Sequence, residues 1–182
     1  MKRIFLLILV GLLSIASQAV AKEGFYVGIF YPNETLSGDA GQDTKSGGGW
    51  GFRAGMGFNR YMAIEGHYSK TTHDISGANE SFDLKSYAGD LKLNFPLTSL
   101  DSAQVMTLEP YIMGGYAHYE ASGAGDTVKS DGIQYGFGIE LYLFKELSVN
   151  AGWTKSSISF DSTPKRDGDV KTVDFGVMYH FI

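Results

Sequence analysis

The sequence predicts an all-β fold, an eight-stranded antiparallel up-and-down transmembrane β-barrel. Three observations predict it. Apolar residues alternate with small or polar ones over most of the chain, and the links between the alternating segments differ in length in a regular way. In addition, the apolar set is too bulky to fit inside a barrel of eight strands.

The composition agrees with this fold and argues against several other classes of protein. The 182 residues include 24 Gly and no Cys, and 14% of the positions are aromatic. A chain without cysteine has no disulfide framework, thiol nucleophile, sulfur-based zinc site or lipidated N-terminal Cys. The net charge of -5 argues against nucleic acid as a partner, because no basic face could offset the phosphate charge.

The first segment predicts an export signal. Lys2 and Arg3 precede an apolar run over residues 4–15, and residues 19–21 read Ala-Val-Ala. The run is shorter than the roughly 20 residues that span a bilayer as a helix. We expect a signal peptide at residues 1–21, cleaved after Ala21, and a barrel domain at residues 22–182. No other apolar stretch is long enough for a spanning helix, so residence in a membrane requires a barrel.

Eight segments have the period of two that a strand requires. In chain order they cover residues 25–31, 50–58, 62–69, 86–95, 111–120, 133–143, 147–154 and 172–181. Six have a clear apolar face. The residues expected to face outward on those six strands are Trp50, Phe52, Ala54, Met56 and Phe58; Met62, Ile64, Gly66 and Tyr68; Tyr87, Gly89, Leu91, Leu93 and Phe95; Ile133, Tyr135, Phe137, Ile139, Leu141 and Leu143; Leu147, Val149, Ala151 and Trp153; and Val173, Phe175, Val177, Tyr179 and Phe181.

The first and fifth strands are less clear, because both of their faces contain apolar residues. In the first strand we expect Val27 and Ile29 to face outward. In the fifth, one face carries Tyr111, Met113, Ala117 and Tyr119, and the other carries Tyr116, His118 and Glu120. We expect the face with Tyr111 and Tyr119 to be the outward one.

The links between strands alternate in length. Residues 59–60 and 145–146 form tight turns, and residues 96–107 form a longer link at the same end. Four long polar stretches form the other end: residues 32–46, 70–81, 121–131 and 159–169. This is the plan of an outer-membrane barrel, although a soluble up-and-down barrel has the same strand count.

The polarity of the two faces separates these alternatives. Eight strands leave an interior just wide enough for side chains, so the bulky apolar set must face lipid and the small polar set must line the lumen. A slip of one residue would place Asp90, Lys92 and Glu140 in lipid, at a cost of up to ~2–4 kcal/mol per charge at mid-bilayer and less for the acids. Aromatic residues near the strand ends are predicted to form the interfacial girdles of a membrane barrel: Phe58, Tyr61, Tyr68, Tyr111, Tyr119, Trp153, Tyr179 and Phe181.

Three short motifs connect the chain to a known family. The opening Gly24-Phe25-Tyr26-Val27-Gly28, the Glu109-Pro110-Tyr111 sequence and the ending from Phe175 to Phe181 resemble the eight-stranded outer-membrane β-barrels of the OmpA transmembrane-domain and OmpX/Ail type. The resemblance covers essentially all of the mature chain. It implies residence in the outer membrane among lipid and lipopolysaccharide, and recognition of the last strand by the barrel-assembly machinery, which reads a terminal aromatic residue. Here Ile182 follows the aromatic Phe181.

Nine charged or titratable side chains are predicted to line the lumen: Arg53, Glu65, His67, Asp90, Lys92, His118, Glu140, Asp174 and His180. They could form an ion pathway in which the charge pairs act as a gate. Alternatively they form a plug in which each buried charge has a partner, because an unpaired buried charge is costly. The narrow interior favours the plug.

Enzymatic chemistry has little support in the sequence. The His67-Tyr68-Ser69 segment contains the His-x-Ser pair used by lipid A deacylases of PagL type, but their pair faces lipid, whereas this one is predicted to face inward. A palmitoyltransferase of PagP type needs a lumen open to lipid, which charges oppose. His67, His73, His118 and His180 lack metal-ligand spacing, so we expect no catalytic residue, cofactor or metal.

We therefore expect a monomeric, non-enzymatic outer-membrane barrel that contributes to envelope integrity and to surface interaction. Its loops would meet an adhesion ligand, a host factor or lipopolysaccharide. The basic residues available for lipopolysaccharide are Lys45, Lys70, Lys129, Lys155, Lys165 and Arg166. The alternatives are a low-conductance pore for small solutes and, less favoured, a lipid A-modifying enzyme.

Overall fold

The computed structural model describes residues 24–38, 44–77, 80–97, 107–123, 126–160 and 166–181. The predicted signal peptide, Lys165 and Ile182 lie outside these ranges. The strands are β1 Gly24–Gly38, β2 Gly47–Asn59, β3 Met62–Asp74, β4 Ser81–Asn94, β5 Thr107–Gly123, β6 Asp126–Tyr142, β7 Leu147–Phe160 and β8 Arg166–His180. No helix within the described ranges is long and apolar enough to cross a membrane.

The strands form a closed antiparallel barrel, which confirms the predicted fold class. Each strand pairs with the next in the chain, and β1 closes the cylinder on β8 from Tyr26↔His180 to Gly38↔Gly168. At one end, here the turn end, the Asn59 side chain accepts hydrogen bonds from the backbone N–H groups of Tyr61 and Met62 at 2.8 and 3.0 Å, which holds the β2–β3 turn. The opposite end is called the loop end.

The strands extend further toward the loop end than predicted. β1 continues to Gly38, and β5 and β6 stay paired to Gly123↔Asp126. Much of residues 32–46, 70–81, 121–131 and 159–169, predicted as loops, is therefore strand. The prediction was wrong there because it required apolar outward residues, whereas an antiparallel ladder needs only backbone partners.

The outer surface divides the barrel into two zones. In the lower barrel, nearer the turn end, the outward side chains are large and apolar; Phe25 is 65% exposed and Ile29 is 72% exposed. The lower barrel comprises residues 25–31, 50–58, 62–68, 87–95, 110–116, 133–141, 147–153 and 173–181. The upper barrel comprises residues 32–38, 47–49, 69–74, 81–86, 117–123, 126–132, 154–160 and 166–172.

The upper barrel has the reverse polarity. Its interior contains an apolar cluster of Leu36, Leu84, Ala117, Tyr119, Ile158 and Val170. Its outward positions are polar or charged, as with Lys70, Asp83 and Lys129. A barrel wall surrounded by water buries its apolar side chains inward, whereas one surrounded by lipid exposes them.

Inward-facing glycines make room for large side chains in the lumen. The lumen was predicted to hold small polar residues, yet Tyr26, Phe30 and Tyr111 lie inside it. A Cβ atom on Gly55 would collide with the ring of Tyr26, and one on Gly152 would lie 2.8 Å from the Tyr111 hydroxyl. The glycines at these inward positions therefore provide the space that the lumenal aromatic rings occupy.

Candidate functional site: the charged lumen

The strand alternation brings most of the predicted charged residues into one column inside the barrel. The structure places Arg53, Glu65, His67, Asp90, Lys92, Glu140, Asp174 and His180 in the lumen. His118 instead faces outward, with its ring 6.3 Å from that of Tyr87. Its predicted position was wrong because the face of β5 was assigned the wrong way round.

Arg53 is the centre of the first group of charges. Its Nη2 atom lies 2.6 Å from Oδ1 of Asp174, and its Nη1 atom lies 3.5 Å from Oε1 of Glu65. The Tyr26 hydroxyl donates a 2.9 Å hydrogen bond to the second oxygen of Glu65. The guanidinium carbon lies 4.2 Å from the ring centre of Phe30. One cation therefore serves two buried carboxylates, and its flat face is covered by an aromatic ring.

Lys92 and Glu140 form the second group. The Lys92 ammonium donates a 2.9 Å hydrogen bond to Oε2 of Glu140, and the Ser148 hydroxyl donates a 2.8 Å bond to Oε1. His180 Nε2 lies 3.2 Å from the same Oε1 atom. The lysine also sits 4.1 Å from the ring centre of Tyr111. Glu140 thus has partners on both of its oxygens, as a buried carboxylate requires.

Asp90 forms a third group with an amide donor and a neighbouring imidazole. Gln134 Nε2 lies 2.7 Å from both carboxylate oxygens, and His67 Nδ1 lies 3.3 Å from Oδ2. Nothing in the sequence predicted Gln134 as a partner of Asp90, because it is an uncharged residue among the inward positions of β6. Its position follows from the register between distant strands.

A fourth group lies in the upper barrel and was missed because Glu34 falls in a stretch predicted as loop. Glu34 accepts hydrogen bonds from Thr71 at 2.6 Å and from Ser69 at 3.2 Å. His73 lies beside them, and its Nδ1 atom is 3.1 Å from the backbone oxygen of Lys45. Because a carbonyl oxygen only accepts, Nδ1 must carry the hydrogen in that bond. This contact fixes the chain just before β2 to the inside of β3.

The packing of these groups leaves room for a small cavity in the described lumen. A cavity of about 20 Å³ lies between Phe30, Glu34, Arg53 and Asp174. A space of this size holds about one water molecule. Above it, the apolar cluster of the upper barrel joins side chains from β1, β4, β5, β7 and β8 across the interior. Charged groups with close partners therefore occupy the lower interior, and apolar side chains occupy the upper interior.

The predicted interfacial aromatics divide into two sets. Phe58, Tyr61, Tyr68, Trp153, Tyr179 and Phe181 lie on the outer wall. Tyr111 and Tyr119 are only 2% and 4% exposed and lie in the lumen, so their prediction is corrected. The predicted positions of Tyr111, Tyr119 and His118 were wrong for the same reason. All three residues belong to β5, whose two faces were assigned the wrong way round.

Ion pairs cover the outer wall of the upper barrel. Lys70 and Asp83 lie 2.7 Å apart, Lys129 and Glu120 lie 2.8 Å apart, and His118 contacts Asp131 at 2.7 Å. The hydrogen bond from Lys70 lowers the pKa of the Asp83 carboxyl, and the bond from Lys129 lowers the pKa of Glu120. Exposed pairs of this kind contribute little to the free energy of unfolding.

The described residues contain no group of three or more His, Asp or Glu side chains that could hold a metal ion. His67 and Ser69 both point into the lumen, away from lipid. Ser69 lies 2.8 Å from the Ser86 hydroxyl and bonds to Glu34, so the PagL-type pair is absent from the outer wall at this position.

The same architecture is found in known outer-membrane proteins. Neisserial surface protein A (NspA) superposes with a TM-score of 0.73 at 18% identity, covering 87% of this chain and 98% of that one. Ail, the attachment invasion locus protein of Yersinia pestis, gives a TM-score of 0.56 at 19% identity, covering 87% and 99%. OprG from Pseudomonas aeruginosa gives 0.57 at 16% identity, covering 88% and 97%.

These likenesses, all under 20% identity, show a shared fold. No curated protein sequence matches the chain. Residues 5–181 match the family described as the outer membrane protein beta-barrel domain, which confirms the resemblance seen in the sequence. The chain therefore belongs to the outer membrane protein beta-barrel domain family.

Proposed function

We propose that this small outer-membrane barrel is a non-conducting, non-enzymatic scaffold that supports the envelope and uses its loop end for surface interaction. The observation that carries the proposal is the packed interior: paired charges fill the lower lumen, and the apolar cluster crosses the upper one. A rigid closed cylinder is a suitable base for loops that bind.

The proposal includes an orientation and a set of partners. The turn end faces the periplasm and the loop end faces outward, as in barrels with short periplasmic turns. The chain is exported with cleavage after Ala21, is inserted by the barrel-assembly machinery through β8 and Phe181, and functions as a monomer.

The solved neighbours favour an anionic partner at the loop end. Ail is described as an attachment invasion locus protein, and one of its structures is a complex with the heparin analogue sucrose octasulfate. In this chain the outer wall of the upper barrel carries exposed lysines, including Lys129 with 62% of its side chain exposed. Lipopolysaccharide and sulfated or acidic host polymers share the chemistry that such lysines bind.

Single-channel recording in planar bilayers tests the packed lumen, with a general porin as the positive control. We expect no conductance steps. Discrete steps from the purified barrel would overturn the scaffold and support the small-solute pore, for which the polar lining of the lower lumen is the supporting feature.

Loop replacement tests the surface interaction. Each loop-end link would be exchanged for a short Gly-Ser linker in turn, and binding to host cells and to lipopolysaccharide would be measured for each variant. We expect at least one replacement to abolish binding while the barrel stays folded. Lipid A mass spectra that change with the presence of the protein would instead support an enzyme.

A further inference from the structure

The outer wall of the upper barrel carries a four-residue arrangement between β3 and β4. Lys70 lies directly opposite Lys85, and Thr72 lies opposite Asp83. The Lys70 ammonium contacts Asp83 at 2.7 Å, and the Thr72 hydroxyl donates a 2.9 Å hydrogen bond to the same carboxylate. These residues are called the β3–β4 cluster.

The same arrangement recurs between β7 and β8. Lys155 lies opposite Lys171, and Ser157 lies opposite Asp169. Lys155 contacts Asp169 at 2.9 Å, and the Ser157 hydroxyl donates a 2.9 Å bond to that carboxylate. This β7–β8 cluster is four strands away from the first, which places the two on opposite sides of an eight-stranded cylinder.

Each cluster has one lysine more than its aspartate can neutralise. Like charges directly opposite each other destabilise a strand pair. Within the described ranges, Lys70 and Lys155 have the aspartates as partners, whereas Lys85 and Lys171 form no ion pair. The four residues of each cluster therefore carry one net positive charge. Glu120 lies opposite Lys85 on β5, but it is held by Lys129 at 2.8 Å. An anion placed between the two lysines of a cluster would relieve their repulsion.

Both clusters lie directly above the apolar outer wall. Tyr68 and Tyr87 are paired two residues below the β3–β4 lysines, and their ring centres are 5.1 Å apart. Trp153 and Val173 are paired two residues below the β7–β8 lysines. Two residues of strand correspond to about 7 Å. A lipid whose acyl chains lie on the apolar wall would therefore present its phosphate at the level of the lysines.

We infer that the β3–β4 and β7–β8 clusters are two equivalent sites for the phosphoryl groups of outer-leaflet lipid, so that one barrel holds two phosphorylated lipids. The inference rests on the proposed orientation, with the loop end outward. A lipid is favoured over a soluble polyanion because both clusters face sideways, above the aromatic belt, where acyl chains lie against the wall.

Native mass spectrometry of the whole barrel tests the inference. The detergent-solubilised protein would be titrated with bisphosphorylated lipid A and with lipid A from which both phosphates have been removed. We expect two tightly bound lipids with the first probe and roughly tenfold weaker binding with the second, because charge-assisted hydrogen bonds are lost.

Charge-removing variants locate the sites. Lys70→Gln with Lys85→Gln should leave one bound lipid, and adding Lys155→Gln with Lys171→Gln should leave none. Lys145→Gln is the matched control, because Lys145 is an exposed lysine at the turn end, away from both clusters. It should retain two lipids. Heat-dependent gel mobility would verify that every variant is folded.

Two results would overturn the inference. One is an unchanged number of bound lipids in the folded variant with all four cluster lysines replaced by glutamine. The other is a soluble sulfated oligosaccharide that binds the clusters as tightly as lipid A does. The test is separate from that of the proposed function. A barrel that conducts ions but still binds two phosphorylated lipids through these lysines would refute the scaffold and leave this inference standing.

Discussion

At the scale of single residues, the interior depends on a few side chains with several partners each. Arg53 bonds to Asp174 and contacts Glu65, which come from strands on either side of it in the cylinder. Its removal would leave two buried carboxylates without their cation. Loss of one member of such a group is far more costly than loss of the whole group.

Arg53→Met should therefore destabilise the barrel by about 3–5 kcal/mol. The free energy of unfolding would be measured by urea titration in lipid vesicles, followed by tryptophan fluorescence. Arg60→Met is the control, because Arg60 lies at the turn end near the Tyr61 ring; a change within about 0.5 kcal/mol is expected there. Equal small effects of the two substitutions would show that the lumen charges are solvated rather than packed.

A pair of glycine substitutions tests how the lumen accommodates its aromatic rings. Gly55→Ala places a Cβ against the Tyr26 ring and 2.6 Å from the backbone oxygen of Ile64, so it should destabilise the barrel by about 1–3 kcal/mol. Gly89→Ala, on the outer wall with no atom within 4 Å, should be neutral or slightly stabilising. The same urea titration measures both, and a costly Gly89→Ala would contradict this account of the glycines.

At the scale of elements, each strand passes from an apolar environment to a polar one without changing its pleat. On β6, Phe137 and Thr127 both face outward, and Phe137 lies in the lower barrel whereas Thr127 lies in the upper. The alternation therefore fixes which side a residue faces, and the surrounding medium fixes which residue type is stable there.

Cysteine labelling on this one strand tests where the environment changes. Thr127→Cys should react readily with a water-soluble maleimide in intact cells, because its thiol faces water. Phe137→Cys should remain unlabelled until detergent is added, because lipid covers it. Rapid labelling of Phe137→Cys in the intact membrane would place the apolar wall in water and contradict the assigned sidedness.

The fifth strand shows what pattern alone could not resolve. Both faces of β5 are similarly apolar, so its own sequence gives no phase. Pairing with β4 decides it: Tyr111 lies opposite Asn94, and Tyr119 lies opposite Ser86, both of which face inward. Cross-strand partners share a face, so Tyr111 and Tyr119 must point into the lumen and His118 must point out.

At the scale of the whole molecule, the barrel combines two kinds of interior. Charged groups packed with aromatic rings lie in the lower barrel, and an apolar cluster lies in the upper one. The upper barrel is therefore stabilised like a water-soluble β-barrel, although it continues the strands of a membrane barrel.

Two leucine truncations distinguish these zones. Leu84 is fully buried in the upper cluster, so Leu84→Ala should cost about 2–5 kcal/mol through lost contacts and a cavity. Leu91→Ala, on the outer wall of the lower barrel in the same strand, should cost less, because lipid can fill the space left behind. Urea unfolding in vesicles measures both, and the reverse order would mean that the upper interior is loosely packed.

The sequence by itself determined the strand number, the closed antiparallel plan and the outward face of the strands with one apolar side. These properties are local: a period of two and the size of the apolar residues define them within each segment. It also indicated most of the lumen charges, because a charge in the inward phase of a lipid-facing strand has only the interior to occupy.

The tertiary structure alone decided which groups meet, which way β5 faces and how far the strands extend. Arg53 and Asp174 are separated by 121 residues in the chain, and Lys92 and Glu140 by 48. Such partners are set by the register of strands around the cylinder. The upper strands likewise depend on neighbours, because backbone pairing and an enclosed apolar cluster form only after the barrel has closed.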